Sequence, residues 1–478
     1  MDIQTNNTSF GSKVKGIFKP IFTNKTVLSA VLITLAFIVL YHLGSMLTLP
    51  GVVLPASYRT QGSFVEMLNL LSAGGLEHMS IFAIGLGPYI TAQIIVQLLS
   101  SDLIKPLAKM AKAGERGKKK LEIVTRLLTL PFCFVQAYAT LALILSRNSS
   151  GEGTGITIFG EQSINGLFAN QAGGAIGLLF LLTAGTYVAI FIGDMITKRG
   201  VGNGVTTLIL VGVVGQLFSS FNNVFNVIGM KLASTNQVTI VLSCILYTLF
   251  FVAIILLVVF INGSTRKIPI QQTGQGLIQD NKELPYLPIK LNAAGVIPVI
   301  FASSVITIPG TIAQFIPDSN FEAKEFITHW LTLDSGVGVA IYFVLIILFS
   351  FFYSYIQINP QQIAENFEKS GKFIPGIRMG EDTERHITRV LFRINWIGAP
   401  FLAIVASIPY ILSLATGIPS GMSLSGTGII IMVTASLELW AAVKSATTTS
   451  GYVVTRRNIE QSHYSAQEQE SEKVTQLW

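Results

Sequence analysis

Ten runs of mainly apolar residues recur along the chain, each about 20 residues long, the length a helix needs to cross a hydrocarbon core. They lie at residues 27–47, 81–99, 121–145, 172–196, 205–228, 238–261, 291–316, 337–356, 391–414 and 428–445. A bilayer accepts such segments because an α-helix satisfies its own backbone groups. Composition agrees: only 12% of the 478 residues are charged, half are apolar and mean hydropathy is +0.60, against about 25% charged in an ordinary soluble domain. The residues before the first run are polar and basic. That run is followed by Leu49-Pro50-Gly51 rather than a small-residue cleavage site, so it reads as a retained span.

An even number of spans puts both termini on one side of the membrane, and basic residues say which. All but four of the 32 Lys and Arg fall on one set of alternating segments; the exceptions are Arg59, Arg147, Lys231 and Lys324. The basic side is then cytoplasmic. On this reading residues 1–26 form a basic cytoplasmic N-terminus and 27–230 an N-terminal half with spans one to five. Residues 231–455 form a C-terminal half with spans six to ten. A tail at 456–478, rich in Gln, Ser and Glu, has the composition of a disordered segment.

A second feature interrupts this pattern. The stretch 63–71 (SFVEMLNLL) places Phe64, Met67, Leu68 and Leu71 at i, i+3, i+4 and i+7, then stops at Ser72-Ala73-Gly74-Gly75. At 1.5 Å per residue it reaches only about 15 Å, half a hydrocarbon core. The next run, 81–99, is long enough to span but carries Gly85, Gly87, Pro88, Gln93 and Gln97. A half-length helix beside a Gly/Pro-interrupted, polar-faced span predicts backbone lining a water-filled path, with the short helix as its stopper.

Carriers and proton relays need ionisable groups at membrane depth. Here the runs offer His42, Asp194 and Glu438, each near a helix end or single, and each readable as a cap, a snorkelling group or a local pair. Uncharged polar residues gather instead on spans two (Thr91, Gln93, Gln97) and seven (Asn292, Ser303, Ser304, Thr307). They fit either interhelical glue or a wettable seam that can part. Cys133 and Cys244 sit in apolar runs without metal-ligand spacing, which favours packing. Residues 117–119 (GKK) and 371–373 (GKF) lack the upstream glycine and the following Ser/Thr of a phosphate loop, and 199–204 (RGVGNG) joins two spans as a tight turn. No catalytic residue, cofactor or metal is assigned. Any driving force for transport comes from a partner.

Two cytoplasmic segments are longer than connectors need to be. Residues 102–120 carry a Lys/Arg cluster, and 359–386 read as a short amphipathic helix followed by a Gly/Pro turn around Pro375-Gly376-Ile377-Arg378. Their cations serve as topology signal or lipid contact, or as a docking face for an acidic partner, nucleic acid or protein.

With these residues in view, the chain resembles the SecY family in its bacterial form, the central subunit of the protein-conducting translocation channel. The most specific stretches are 81–99, 199–204, 294–304 (AGVIPVIFASS) and 359–378. The resemblance implies an all-α membrane protein. Its ten transmembrane helices form two pseudo-symmetric five-helix halves around a central pore, with a half-length plug helix at about 63–75. It implies a pore ring of Leu86, Ile90, Ile209, Ile300 and Ile431, a plug bearing Phe64, Met67, Leu68 and Leu71, and a lateral gate between spans two and seven bearing Thr91, Gln93, Gln97, Ser303, Ser304 and Thr307. Cytoplasmic docking would use Arg266, Lys267, Lys372 and Arg378. The sequence departs from the family at Met379, where a proline usually follows the arginine, and at 271–276 (QQTGQG), where relatives are rich in Arg and Lys.

The implied function is translocation of unfolded secretory polypeptides across the plasma membrane and lateral release of transmembrane segments into lipid. Implied partners are SecE-like and SecG-like small membrane subunits, a SecA-type motor ATPase, the ribosome, signal sequences, nascent chains and the lipid bilayer. The alternative is an ion-coupled secondary transporter of a small solute, which should show an intramembrane ion or substrate site.

Overall fold

A computed structural model describes residues 24–53, 69, 72, 74–76, 78–100, 104–149, 157–161, 167, 170–231, 237–272, 285–313, 326–327, 330–331, 333, 335–416 and 426–448. Phe64, Met67, Leu68 and Leu71 of the expected plug, and the tail 456–478, lie outside them. Helices dominate: α1 (Lys25–Met46), α2 (Gly87–Leu98), α3 (Lys105–Lys112), α4 (Gly114–Ser149), α5 (Ala172–Arg199), α6 (Gly204–Lys231), α7 (Gln237–Gly263), α8 (Ile297–Ala313), α9 (Gly336–Ile358), α10 (Pro360–Lys369), α11 (Glu381–Thr416) and α12 (Gly426–Thr448). Six short strands accompany them: β1 (Val52–Val53), β2 (Thr157–Ile158), β3 (Thr265–Pro269), β4 (Gln271–Gln272), β5 (Tyr286–Lys290) and β6 (Lys372–Phe373).

Eight of these helices are long and apolar enough to cross a membrane, and they correspond to eight of the ten expected spans. Their surfaces suit lipid. On α7, Val238, Leu242, Leu246, Leu249, Leu256 and Phe260 are each more than 60% exposed, an apolar face that water would not tolerate.

The other two expected spans begin later as helices than the sequence suggests. Span two becomes helical only at Gly87, because Pro88 lacks an N–H and fits only the first turn. Residues 81–86 instead run as turns. Their backbone groups find local partners: Ile81 N–H donates to Leu47 O (3.2 Å), Ala83 N–H to Ser80 O (2.9 Å) and Gly85 N–H to Phe82 O (2.8 Å), with Gly85 at φ +62°. Such irregular backbone is stable at membrane depth only inside protein. Phe82, Ala83, Ile84 and Leu86 are indeed buried. Close packing on α5 depends on Gly185, where a Cβ would lie 2.1 Å from Ile81 O. Span seven likewise becomes helical only at Ile297, and its described helix α8 has 17 residues with Pro309 inside it.

The chain divides into two compact units. The smaller holds the first part of α1, the turn joining α5 to α6, and the last part of α12. In it 199–204 is a tight turn, as expected from the sequence. Val201 N–H donates to Thr34 Oγ1 (3.0 Å), Gly204 N–H to Thr197 Oγ1 (2.8 Å), and Asn203 Oδ1 caps α6 by accepting from Val205 N–H (3.1 Å).

The larger unit holds the rest. One of its cores gathers Leu49, Leu76, Met79, Ile84, Leu141 and Leu182 around the loop that precedes α2. A second lies under the loops after α7 and α9: Ile268, Ile289, Ile374, Ile387, Val390 and Ile394.

A candidate pore waist, gate helix pair and docking face

The five residues of the expected pore ring all belong to the larger unit. Leu86 is the N-cap of α2 and its carbonyl accepts from Ile90 N–H at 3.0 Å, so the two stand one turn apart. Ile209 lies in the second turn of α6, Ile300 in the first turn of α8 and Ile431 in the second turn of α12. Exposures of 1, 7, 4, 7 and 2%, in sequence order, mean that these aliphatic side chains are packed against protein rather than opened to water.

Helices α2 and α8 lie against one another. Their polar residues orient mostly within each helix. Thr91 Oγ1 donates to Gly87 O (3.1 Å), and Ser303 and Ser304 Oγ donate to Ile300 O (2.7 and 2.9 Å). These hydroxyls keep their donors satisfied whether or not the helices touch. Gln93 is exposed and Gln97 half-buried; the side chain of Thr307 is outside the described set. Helix α8 also packs on α9 through Phe301, whose ring meets Phe349 and Tyr353 edge-on at 5.8 and 5.6 Å. At its start, Asn292 Nδ2 donates to Asn262 Oδ1 of α7 (2.8 Å) and to Gly295 O (3.1 Å).

A few residues at the end of the expected plug segment are described, and from Ser72 on they form turns. Gly74, at φ +84°, donates to Asn69 O (3.0 Å) and Gly75 N–H to Ser72 O (3.1 Å), while Ser72 Oγ accepts from Leu76 N–H (3.2 Å).

The described parts of the loops after α7 and α9 hold regular structure. Strands β3 and β5 form an antiparallel hairpin, Arg266 opposite Ile289 and Lys267 opposite Pro288, with the Lys267 ammonium 4.6 Å from the centre of the Tyr286 ring. Strands β4 and β6 pair Gln271 with Phe373 and Gln272 with Lys372, which ties the loop after α7 to the loop after α9. Gln271 and Gln272, the described residues of the Gln-rich departure from the family pattern, pair through their backbone groups.

Arg266, Lys267, Lys372 and Arg378 are all exposed. Arg378 is held at the turn before α11 by Thr383 Oγ1, which donates to its carbonyl (2.8 Å). Behind them burial, reinforced by Arg389, Arg266 and Arg393, pushes the His386 imidazole below its ordinary value. Among the described residues no group of three His, Cys, Asp or Glu converges as metal ligands do.

What composition and spacing missed was the strand pairing. Its only signal is the alternation of Ile268 and Ile289 with charged neighbours, too short to stand out.

A protein-family model of SecY matches residues 80–440. The chain belongs to the SecY family. It is 51% identical over 444 residues to the protein translocase subunit SecY of Mycoplasmoides gallisepticum, an overlap of 91% of this chain and 86% of that one. Among solved structures, a protein-conducting channel superposes with TM-score 0.61 at 17% identity, covering 88% of this chain and 93% of that chain. Sec61 from a canine ribosome-channel complex of the endoplasmic reticulum gives TM-score 0.58 at 16% identity with the same coverages. At such identities these two likenesses establish the SecY fold.

Proposed function

We propose that this chain is the channel subunit of a protein translocase in the plasma membrane, passing unfolded secretory polypeptides outward and releasing transmembrane segments sideways into lipid. The observation that carries the reading is the set of five buried, wholly aliphatic side chains, Leu86, Ile90, Ile209, Ile300 and Ile431, in a SecY-family chain. An aliphatic constriction holds no ordered water and so blocks small ions by dewetting, yet it deforms around a polypeptide because no directional bond must break.

Lateral release would use the contact between α2 and α8. An apolar residue at a helix centre favours lipid by about 0.3 to 0.6 kcal/mol, and a central Lys, Arg or Asp costs about 2.5 to 3.5 kcal/mol. Two charges thus offset roughly 8 to 23 apolar residues, and a parted gate sorts segments by partition alone. The plug at about 63–75 would fill the outer funnel at rest. Both termini and the docking face lie on the cytoplasmic side, where Arg266, Lys267, Lys372 and Arg378 would meet a SecA-type motor ATPase or the ribosome. SecE-like and SecG-like subunits would cover part of the apolar surface. The transporter alternative is not favoured.

The test is reconstitution. Vesicles containing this chain with its small subunits, supplied with a motor ATPase and ATP, should take up a secretory precursor and remain tight to ions before it is added. Vesicles that accumulate a small solute down an ion gradient but admit no precursor would overturn the reading.

A further inference from the structure

Helix α11 begins with a divided surface. Ile387, Val390, Leu391 and Ile394 are buried in the core under the loops, whereas Arg385, Arg389 and Arg393, spaced i, i+4 and i+8, are exposed along one stripe. Arg385 is engaged, because its Nη2 donates to Glu381 Oε1 at 2.7 Å. Arg389 and Arg393 have no carboxylate partner among the described residues. Both act on His386, as does Arg266 of β3, so three positive charges share this patch. Further along α11 the same stripe turns aromatic and then aliphatic. The Phe392 ring stands 5.4 Å from Phe351 of α9 and 6.3 Å from Trp396, and Trp396 stands 6.2 Å from Phe351. Trp396, Ile397, Ile404 and Ile411 are each more than half exposed. In water a basic stripe would be an ordinary solvated face. Here it runs on into exposed isoleucines that water would not tolerate, so the boundary between them falls among lipid headgroups.

We infer that Arg389, Arg393 and Trp396 bind an acidic phospholipid, with the two guanidinium groups on its phosphate, the indole beside its glycerol and the acyl chains along Ile397, Ile404 and Ile411. Depth supports the choice of ligand. From Arg393 to Ile411 the helix rises about 27 Å, close to the thickness of a hydrocarbon core of about 30 Å. With Ile411 near one edge of that core, Arg393 stands at the phosphates of the other, the level at which tryptophan is also favoured. Charge selects among lipids. A guanidinium grips a phosphate through two parallel N–H···O bonds. Phosphatidylglycerol brings no ammonium of its own to compete for that phosphate, whereas phosphatidylcholine and phosphatidylethanolamine do. The inference concerns the outer surface of α11 and requires only that this helix spans the membrane, whatever the channel passes.

The experiment uses the full chain with its small subunits in vesicles, with Trp330, Trp440 and Trp478 replaced by Phe so that Trp396 is the one indole left in the chain. Lipids brominated in their acyl chains quench an indole that they touch. Brominated phosphatidylglycerol, at about a tenth of a phosphatidylcholine bilayer, should quench Trp396 severalfold more than brominated phosphatidylcholine at the same fraction, since each basic residue beside an anionic lipid is worth about fivefold. Arg389→Gln combined with Arg393→Gln should bring the two quenchers level. Arg385→Gln, which removes a charge already paired, should leave the preference in place. With every arginine intact, the preference should shrink between about 0.1 and 1 M salt, an arm that needs no arginine variant to fold. Equal quenching with the arginines intact would overturn the site, and so would a preference that survives the double variant or the salt. Quenching by neither lipid would mean that a small subunit covers Trp396, and would overturn it equally. Precursor uptake, scored separately in the same vesicles, keeps the channel reading distinguishable from every one of these results.

Discussion

Leu86, Ile90, Ile209, Ile300 and Ile431 would be unremarkable in any helix packing; their meaning lies in being aliphatic together. Replacing Ile300 or Ile431 with Asn buries an amide without a designed partner, at a cost of about 1–3 kcal/mol to the closed state, and invites water into the waist. Resting ion leak, measured as dye-coupled efflux from vesicles, should rise, and precursors with weak signals should pass more readily. A double variant that stays tight and selective would remove these residues from the ring. Arg378→Glu is a different kind of change. The side chain is exposed, so stability should move by less than about 0.5 kcal/mol, while motor-driven uptake should fall severalfold. Normal uptake would mean that Met379 marks a real loss of the family role. Neither prediction could have been placed by spacing alone, because Ile300 and Arg378 look ordinary without the family resemblance.

Helices α2 and α8 are the elements whose behaviour matters most. If substrates part them, a covalent link should stop passage and reduction should restore it. Cysteines at Thr91 and, in separate variants, at Ser303, Ser304 or Thr307, in a background with Cys133 and Cys244 changed to Ala, should include a pair that oxidises, since Cα atoms must come within about 7 Å. Full crosslinking with normal passage of a secretory precursor and a membrane protein would refute the gate.

The loops make a pH prediction. The folded-state value for His386 lies below its unfolded one, so the neutral ring contributes stability that is complete above the ordinary value near 6.5 and is lost as pH falls through the lowered one. Protease cleavage of the loops after α7 and α9 should increase on acidification, and His386→Gln should flatten that dependence.

The spans were legible because an apolar run of membrane length has few alternatives. The start of α2 was legible only as an interruption, since Gly85, Gly87 and Pro88 say that a helix breaks but not on which side. The pairing of β4 with β6 was invisible: two residues carry no periodicity, and their partners lie about a hundred positions away.

Across the whole molecule, the distribution of Lys and Arg makes a prediction independent of any site. Single cysteines at Arg266 and Lys372 should react with a membrane-impermeant maleimide only from the cytoplasmic side, and one at Arg59 only from outside. Labelling of Arg266 from outside would invert the topology. The same distribution concentrates charge on loops that are far from slack. The small core of Ile268, Ile289, Ile374, Ile387, Val390 and Ile394 binds the hairpin, the turn after β6 and the start of α11 into one body. Helix α11 packs on α9, and α9 on α8. Mechanically this is a linkage of stiff members with little backlash: a load applied at Arg378 has no loose tether to take up before strain reaches α11, α9 and then α8. A partner pushing there would do work on the gate within the first ångströms of its stroke.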